Sequence, residues 1–187
     1  MIRREADHAR QGRPCGIRAK MNQLQDQEVI RELYAASQAG VPIRLVVRGL
    51  CCLRPGVPGL SDTIEVFSVV GRFLEHSRIY EFRNGGAVEH YLGSADWMKR
   101  NLDRRVESIA PVEDPALQAE LAAIFDVLEA DNVSRWDCRP DGSYVRRRPT
   151  QAEPLRGAHD VFLAMPGLGC PPESAPKPTP ASGGGTA

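Results

Sequence analysis

The sequence carries no excess of either charge. Its 24 Lys and Arg residues balance its 24 Asp and Glu residues. No global field therefore draws in nucleic acid or an anionic membrane, and any attraction for phosphate must be local. A metal-binding cysteine pattern is missing too. Cys15, Cys51, Cys52, Cys138 and Cys170 include no Cys-x-x-Cys pair and no zinc spacing. They read as reduced thiols of a cytoplasmic protein. The Cys51-Cys52 pair reads as packing beneath a loop rather than as reactive. No apolar run approaches the length of a membrane helix, and there is neither a signal-peptide pattern nor an internal repeat. What is present is ordinary for one soluble domain: 187 residues, 42% apolar and 26% charged, enough to bury a real core.

Short apolar runs bounded by Gly and Pro dominate the first two thirds of the chain and read as strands. They are Cys15–Met21, Ile43–Val47, Ile64–Val70, Arg78–Phe82, His90–Gly93 and Arg105–Ala110. Met1 to Arg13 reads as the tail of a helix with no cap. Asp26 is a fair N-cap for a helix reaching about Ala39, with Val29, Ile30, Leu33 and Tyr34 on its apolar face and Gly40 just past its end. Strand, helix, strand with tight joints predicts a right-handed crossover. Trp97 to Asp103 reads as a turn or short helix. Asp114-Pro115 starts another helix, with Leu117, Leu121, Ile124 and Leu128 at helical spacing. Asp141-Gly142 joins a hairpin of Ser134–Arg139 and Ser143–Arg147. A weak last helix is expected within Gln151 to Met165. From Pro166 the chain is Pro, Gly, Ser and Ala, and disorder is expected there. The fold class is therefore α/β, a mixed sheet flanked by helices over residues 1–165, followed by a tail over 166–187.

The polar residues between these strands share one chemistry. Arg48, Arg54, Arg72, Arg78, Arg100, Arg104 and Arg105 supply planar forks suited to phosphate oxygens. His76 can give or take a proton near neutral pH. Ser94 adds a hydroxyl or caps the turn after it. Each has a plain alternative. Arg48 can be a solvated arginine, His76 a structural histidine, and Ser94-Ala95-Asp96 a helix cap. Trp97 and Phe73 read as core, and Arg146-Arg147-Arg148 as a solvated strand end.

Several blocks decide between these readings. They are Ala19-Lys20-Met21-Asn22, Leu33–Gly40, Val47–Gly56, Gly71-Arg72-Phe73-Leu74-Glu75-His76-Ser77-Arg78 and Gly93-Ser94-Ala95-Asp96-Trp97-Met98. Together they closely resemble the last domain of the polyphosphate kinase family, whose members make polyphosphate from ATP. The resemblance implies a phospholipase D-like half-site domain, with His76-x-Arg78 and Gly93-Ser94 as one half of a shared site. It implies that Arg48 and His76 bind ATP, with His76 in a catalytic role as donor or general acid. It implies ATP, ADP and polyphosphate as ligands, and magnesium held by residues outside this chain. The phosphohistidine nucleophile of the family has no match here, since His8 and His90 lie in the wrong context. The family's sequence continues upstream of Met1. The chain is therefore expected to be a fragment, a split gene product or a decayed copy, with upstream kinase domains or a second copy as partners. Arg44 departs from the family's usual acidic residue and is expected to be a surface change. Two other readings stay open: a non-catalytic ATP- or polyphosphate-binding module, and a phosphodiesterase completed by dimerisation. Neither nucleic acid nor a membrane is an expected partner.

Overall fold

The computed structural model describes residues 1–165; the tail expected over 166–187, with Cys170, lies outside the described residues. Eight strands form one mixed sheet between two layers of helices. In chain order the elements are α1 (Ile2–Arg10), β1 (Ile17–Met21), α2 (Gln27–Gln38), β2 (Ile43–Val47), β3 (Ile64–Val69), β4 (Ile79–Phe82), β5 (Glu89–Gly93), α3 (Lys99–Arg104), β6 (Ile109–Val112), α4 (Pro115–Ala130), β7 (Arg135–Cys138), β8 (Tyr144–Arg146) and α5 (Ala158–Ala164). The strand order is β6-β5-β4-β1-β2-β3-β7-β8. Strands β1, β2 and β3 run parallel, and antiparallel strands extend the sheet on both sides.

Local chemistry sets the helix starts. The Asp26 carboxylate accepts the Val29 N–H, and Asp114 accepts those of Ala116 and Leu117 ahead of a first-turn Pro115. After α2 the chain turns on Gly40, whose φ of +91° favours a residue without a Cβ. Helix α1 has no side-chain cap and is held from elsewhere. Its fully buried Glu5 carboxylate accepts N–H bonds from Gly16 at 3.0 Å and Asn84 at 2.9 Å. That pins the helix to loops at the far edge of the sheet, satisfying two backbone donors that burial would otherwise strand.

Alternation along the strands divides the core. Ile17, Ala19, Met21, Ile43, Leu45 and Val47 face α1 and α2, together with Leu33 and Ala36. The other face buries Val46, Phe67 and Val69 against Leu128 and Ala158, and Ile79 against Leu121 and Phe125. Lys20 is directly opposite Val46 in the parallel ladder and Ile79 in the antiparallel one, so it lies on this second face.

Two expected elements come out differently. The strand placed at Arg105–Ala110 forms instead at Ile109–Val112. Arg105 only caps α3, Val106 is fully exposed, and Glu107 bonds to Ser94 and Asn101. Pro111 is tolerated within the strand because β6 is the sheet edge. The last helix covers only Ala158–Ala164. The stretch before it is a loop pinned by Asn132, whose side chain donates to the Pro154 carbonyl at 3.0 Å and accepts the Arg156 N–H at 2.8 Å.

Asp131 joins the second helical layer to the sheet. Its carboxylate, fully buried, accepts N–H bonds from Val133, Ser134 and Arg135 on the way into β7, and from Ala158 at the start of α5. Removing it strands several amides at once. Asp131→Ala should lower unfolding free energy by at least about 3 kcal/mol, read from urea melts. A loss below about 1 kcal/mol would show that water replaces the carboxylate.

Candidate functional site

The ends of β1, β2 and β5 and the start of β4 meet at one edge of the sheet. Met21 is opposite Val47 in the parallel ladder, and Lys20 is opposite Ile79. Arg48, which follows β2, and Arg78, which precedes β4, therefore flank the end of β1. Arg48 is locked through its backbone. Its N–H donates to the Met21 carbonyl at 3.2 Å and its carbonyl accepts the Ser68 hydroxyl at 2.9 Å. Its guanidinium makes no hydrogen bond or ion pair with another described residue. A fixed backbone under a free fork is what an anion-binding arginine needs.

His76 lies in the exposed loop between β3 and β4. Its Nδ1 is 2.7 Å from an Arg78 Nη1, and the same nitrogen donates to the His76 carbonyl at 2.9 Å. A guanidinium has only donors, so Nδ1 accepts and the ring proton of the neutral form sits on Nε2. That leaves an outward N–H donor. Arg78 is itself held by Asp96, with Nε–Oδ1 and Nη2–Oδ2 both at 3.2 Å. Asp96 also accepts the backbone N–H of Asn22 at 2.8 Å and its side-chain amide at 3.2 Å. Burial would raise the Asp96 carboxyl. The Arg78 and Asn22 hydrogen bonds outweigh that and hold it below the ordinary carboxylate range.

Lys20 lies between these groups and is 3% exposed. Its Nζ donates to the Ser77 hydroxyl at 2.7 Å and carbonyl at 3.2 Å, and pairs with Glu75 at 3.2 Å. Burial lowers its pKa; Glu75 opposes the shift, and the charges of Arg48 and Arg78 add to it. That electrostatic coupling puts Lys20, Arg48 and Arg78 in one local field. Sequence reasoning quoted Lys20 inside a motif but gave it no role. The available signal was a cation on an otherwise apolar strand face.

Other expectations divide. Ser94 belongs to this edge, but its hydroxyl is taken: it donates to Glu107 and accepts the Ser108 N–H at 3.0 Å. Trp97 is core and stacks on Tyr80 at 5.3 Å, whereas Phe73 is 46% exposed. Its place in a loop with few backbone bonds keeps it out of the core. Cys51 is packed, and burial pushes its thiol up to about 12, while Cys52 is exposed. Arg44 sits at the surface and pairs with Glu129 at 2.9 Å. The carboxylates of Glu75 and Asp96 at this edge are paired, with Lys20 and Arg78 respectively. Among the described residues, no helix is long and apolar enough to cross a membrane.

Residues 1–157 match the family model described as polyphosphate kinase C-terminal domain 2. The chain belongs to the polyphosphate kinase family. A polyphosphate kinase of Thermosynechococcus vestitus is 58% identical over 164 residues, covering 88% of this chain and 22% of the relative. One from Pseudomonas aeruginosa is 57% identical over 163 residues, covering 87% of this chain and 24% of the relative. The crystal structure of polyphosphate kinase from Porphyromonas gingivalis superposes with a TM-score of 0.82 at 40% identity, over 87% of this chain and 25% of that one. The chain thus spans about a quarter or less of the length of these relatives and corresponds to a C-terminal domain of polyphosphate kinase.

The Arg78–Asp96 pair gives a signed pH prediction. A carboxyl depressed in the folded state contributes stability above its unfolded pKa, and that contribution disappears as pH falls through the folded value. Asp96→Asn should therefore lose about 3 kcal/mol at neutral pH, with the gap to wild type closing as pH falls below the ordinary carboxylate range. Urea melts at several pH values provide the check. A gap independent of pH would mean the carboxylate charge is irrelevant.

Proposed function

We propose that this chain supplies the nucleotide- and polyphosphate-phosphate half of a polyphosphate kinase site. The observation that carries the reading is the free Arg48 fork held beside Lys20, Arg78 and His76 at one strand edge. Arg48 binds phosphate oxygens, and His76 offers its Nε2–H to the transferring phosphoryl group as hydrogen-bond donor and then proton source. Arg78 fixes the His76 ring through Nδ1. Lys20 adds positive charge behind them, strengthened by burial from water. The other half of the site lies outside this chain. There a histidine nitrogen attacks the γ-phosphorus of ATP, the bond to the bridging oxygen breaks, and ADP leaves. The phosphohistidine then passes its phosphoryl group to the terminal oxygen of polyphosphate. Such transfers rely on positioning and charge stabilisation rather than on covalent help from many groups.

Of the three other histidines, His159 has its Nδ1 occupied by the Phe73 N–H, and the other two lie elsewhere. His8 Nε2 faces Asn84 at 3.4 Å, and His90 is buried against Glu81 at 2.9 Å. Neither is at the cationic edge. Magnesium is assigned to the other half as well, a reading with which the pairing of Glu75 and Asp96 here is compatible. With its free thiols at Cys15, Cys51, Cys52 and Cys138, the domain is suited to a reducing cytoplasm.

Two charge-assisted bonds, less the immobilisation of a flexible polyanion, set the affinity of this domain alone on the order of millimolar. Calorimetric titration with polyphosphate should show binding that weakens with added salt. Arg48→Ala and His76→Ala should each reduce it, while Arg147→Ala on the β7–β8 hairpin should not. Equal affinity of wild type and the Arg48→Ala, His76→Ala double variant would remove the site. Binding should also restore the Lys20 pKa toward the ordinary lysine range, visible in side-chain amine NMR shifts.

A further inference from the structure

The loop that carries His76 has almost no backbone structure of its own. Among the described residues, no amide from Gly71 to Ser77 donates to a backbone carbonyl. Val70, Phe73 and Leu74 are 59%, 46% and 75% exposed. One end of the loop is held by Lys20 through Ser77. The other end is held by a residue distant in sequence. The Phe73 N–H donates to Nδ1 of His159 at 3.0 Å, a bond from the loop to α5. The two rings lie 5.6 Å apart, and Arg72 covers the Phe73 ring at 5.3 Å.

The imidazole of His159 also lies against Gly71. A Cβ at Gly71 would fall 2.5 Å from Nδ1 and 2.7 Å from Cε1. Space, not backbone conformation, requires the glycine there. His159 is 6% exposed, and its Nε2 has no hydrogen-bond partner among the described residues. Because Nδ1 accepts, Nε2 carries the proton of the neutral ring. An apolar ring would fill the same space without stranding a polar atom. The imidazole is accounted for by the acceptor it offers to Phe73. Its seat is firm: Ala158 is buried among Val46, Phe67 and Leu128, and its N–H is bound by Asp131 at 2.7 Å.

We propose that His159 is a positioning residue for the loop bearing His76. It transmits the order of the core through α5 to Gly71–Phe73 and so fixes the stretch that presents His76. The role in binding rests on the phosphate-site reading above; the anchoring itself does not. Preorganising the loop lowers the entropy lost when a phosphate is bound.

Four variants and two readouts test this. His159→Phe keeps a ring and removes the acceptor. His159→Asn places Oδ1 close to the position of Nδ1. Gly71→Ala drives a methyl group into the ring, and His159→Ala provides a background without it. In His159→Phe, amide exchange of Phe73 should rise roughly three- to tenfold, and polyphosphate binding by calorimetry should weaken by a similar factor. His159→Asn should restore both toward wild type. Gly71→Ala should imitate His159→Phe in the native background and add little when combined with His159→Ala. Unchanged Phe73 exchange in His159→Phe, or no rescue by His159→Asn, would overturn the anchoring. Faster exchange with unchanged affinity would overturn its role in binding. If wild type binds no polyphosphate, the phosphate-site reading falls, and Phe73 exchange still decides whether His159 anchors the loop.

Discussion

Asp96 ties three strand ends together with one carboxylate. It follows β5, accepts both N–H groups of Asn22 after β1, and pairs with Arg78 before β4. Arg78 in turn orients the His76 ring. If the carboxylate were neutral, Arg78 would be a buried cation without its counter-ion, and the end of β1 would lose its fastening. The arrangement of this edge therefore depends on a charge that is itself almost wholly hidden from water. The family motif that contains Asp96 reads naturally as a helix cap, but its work is done across the sheet.

The charge balance at this edge differs from that of the whole chain. The chain is neutral overall, yet Lys20, Arg48 and Arg78 lie together, with Glu75 and Asp96 as paired counter-charges. Burial and like-charge neighbours both disfavour the ammonium of Lys20. Proteins keep such groups where a ligand of opposite charge relieves them. Under the proposed phosphate-binding reading, a polyanion would meet donors already oriented, with little reorganisation left to do. Elsewhere several cations are paired with carboxylates. Arg18 pairs with Glu81 and Asp126, and Arg4 with Glu89.

Most of the fold was legible because local rules and tertiary needs agree. Asp26 and Asp114 cap the helices they were expected to cap, and β2 occupies the residues its apolar run marks. The Asp141-Gly142 hairpin joins β7 and β8. Misreadings fell where one element borrows from a distant one. Strand β6 is shifted because Glu107 turns toward Ser94 and Asn101, and α5 is shortened because Asn132 holds the loop before it. Arg48 and His76 stood out only through long motif blocks. Lys20 was hidden by its strand, and His159 by its distance from Gly71: no local pattern announces a ring that fits against a glycine in another part of the chain.

The sheet's outer strands bear on how copies of this domain can assemble. β6 contains Pro111, which has no N–H to offer a neighbour. β8 is only three residues long, and its Arg146 guanidinium turns back to the Val133 carbonyl at 2.7 Å. Neither border offers a long run of free donors and acceptors, so another chain gains little by adding a strand there. The sheet is therefore poorly suited to edge-to-edge stacking between copies of the domain.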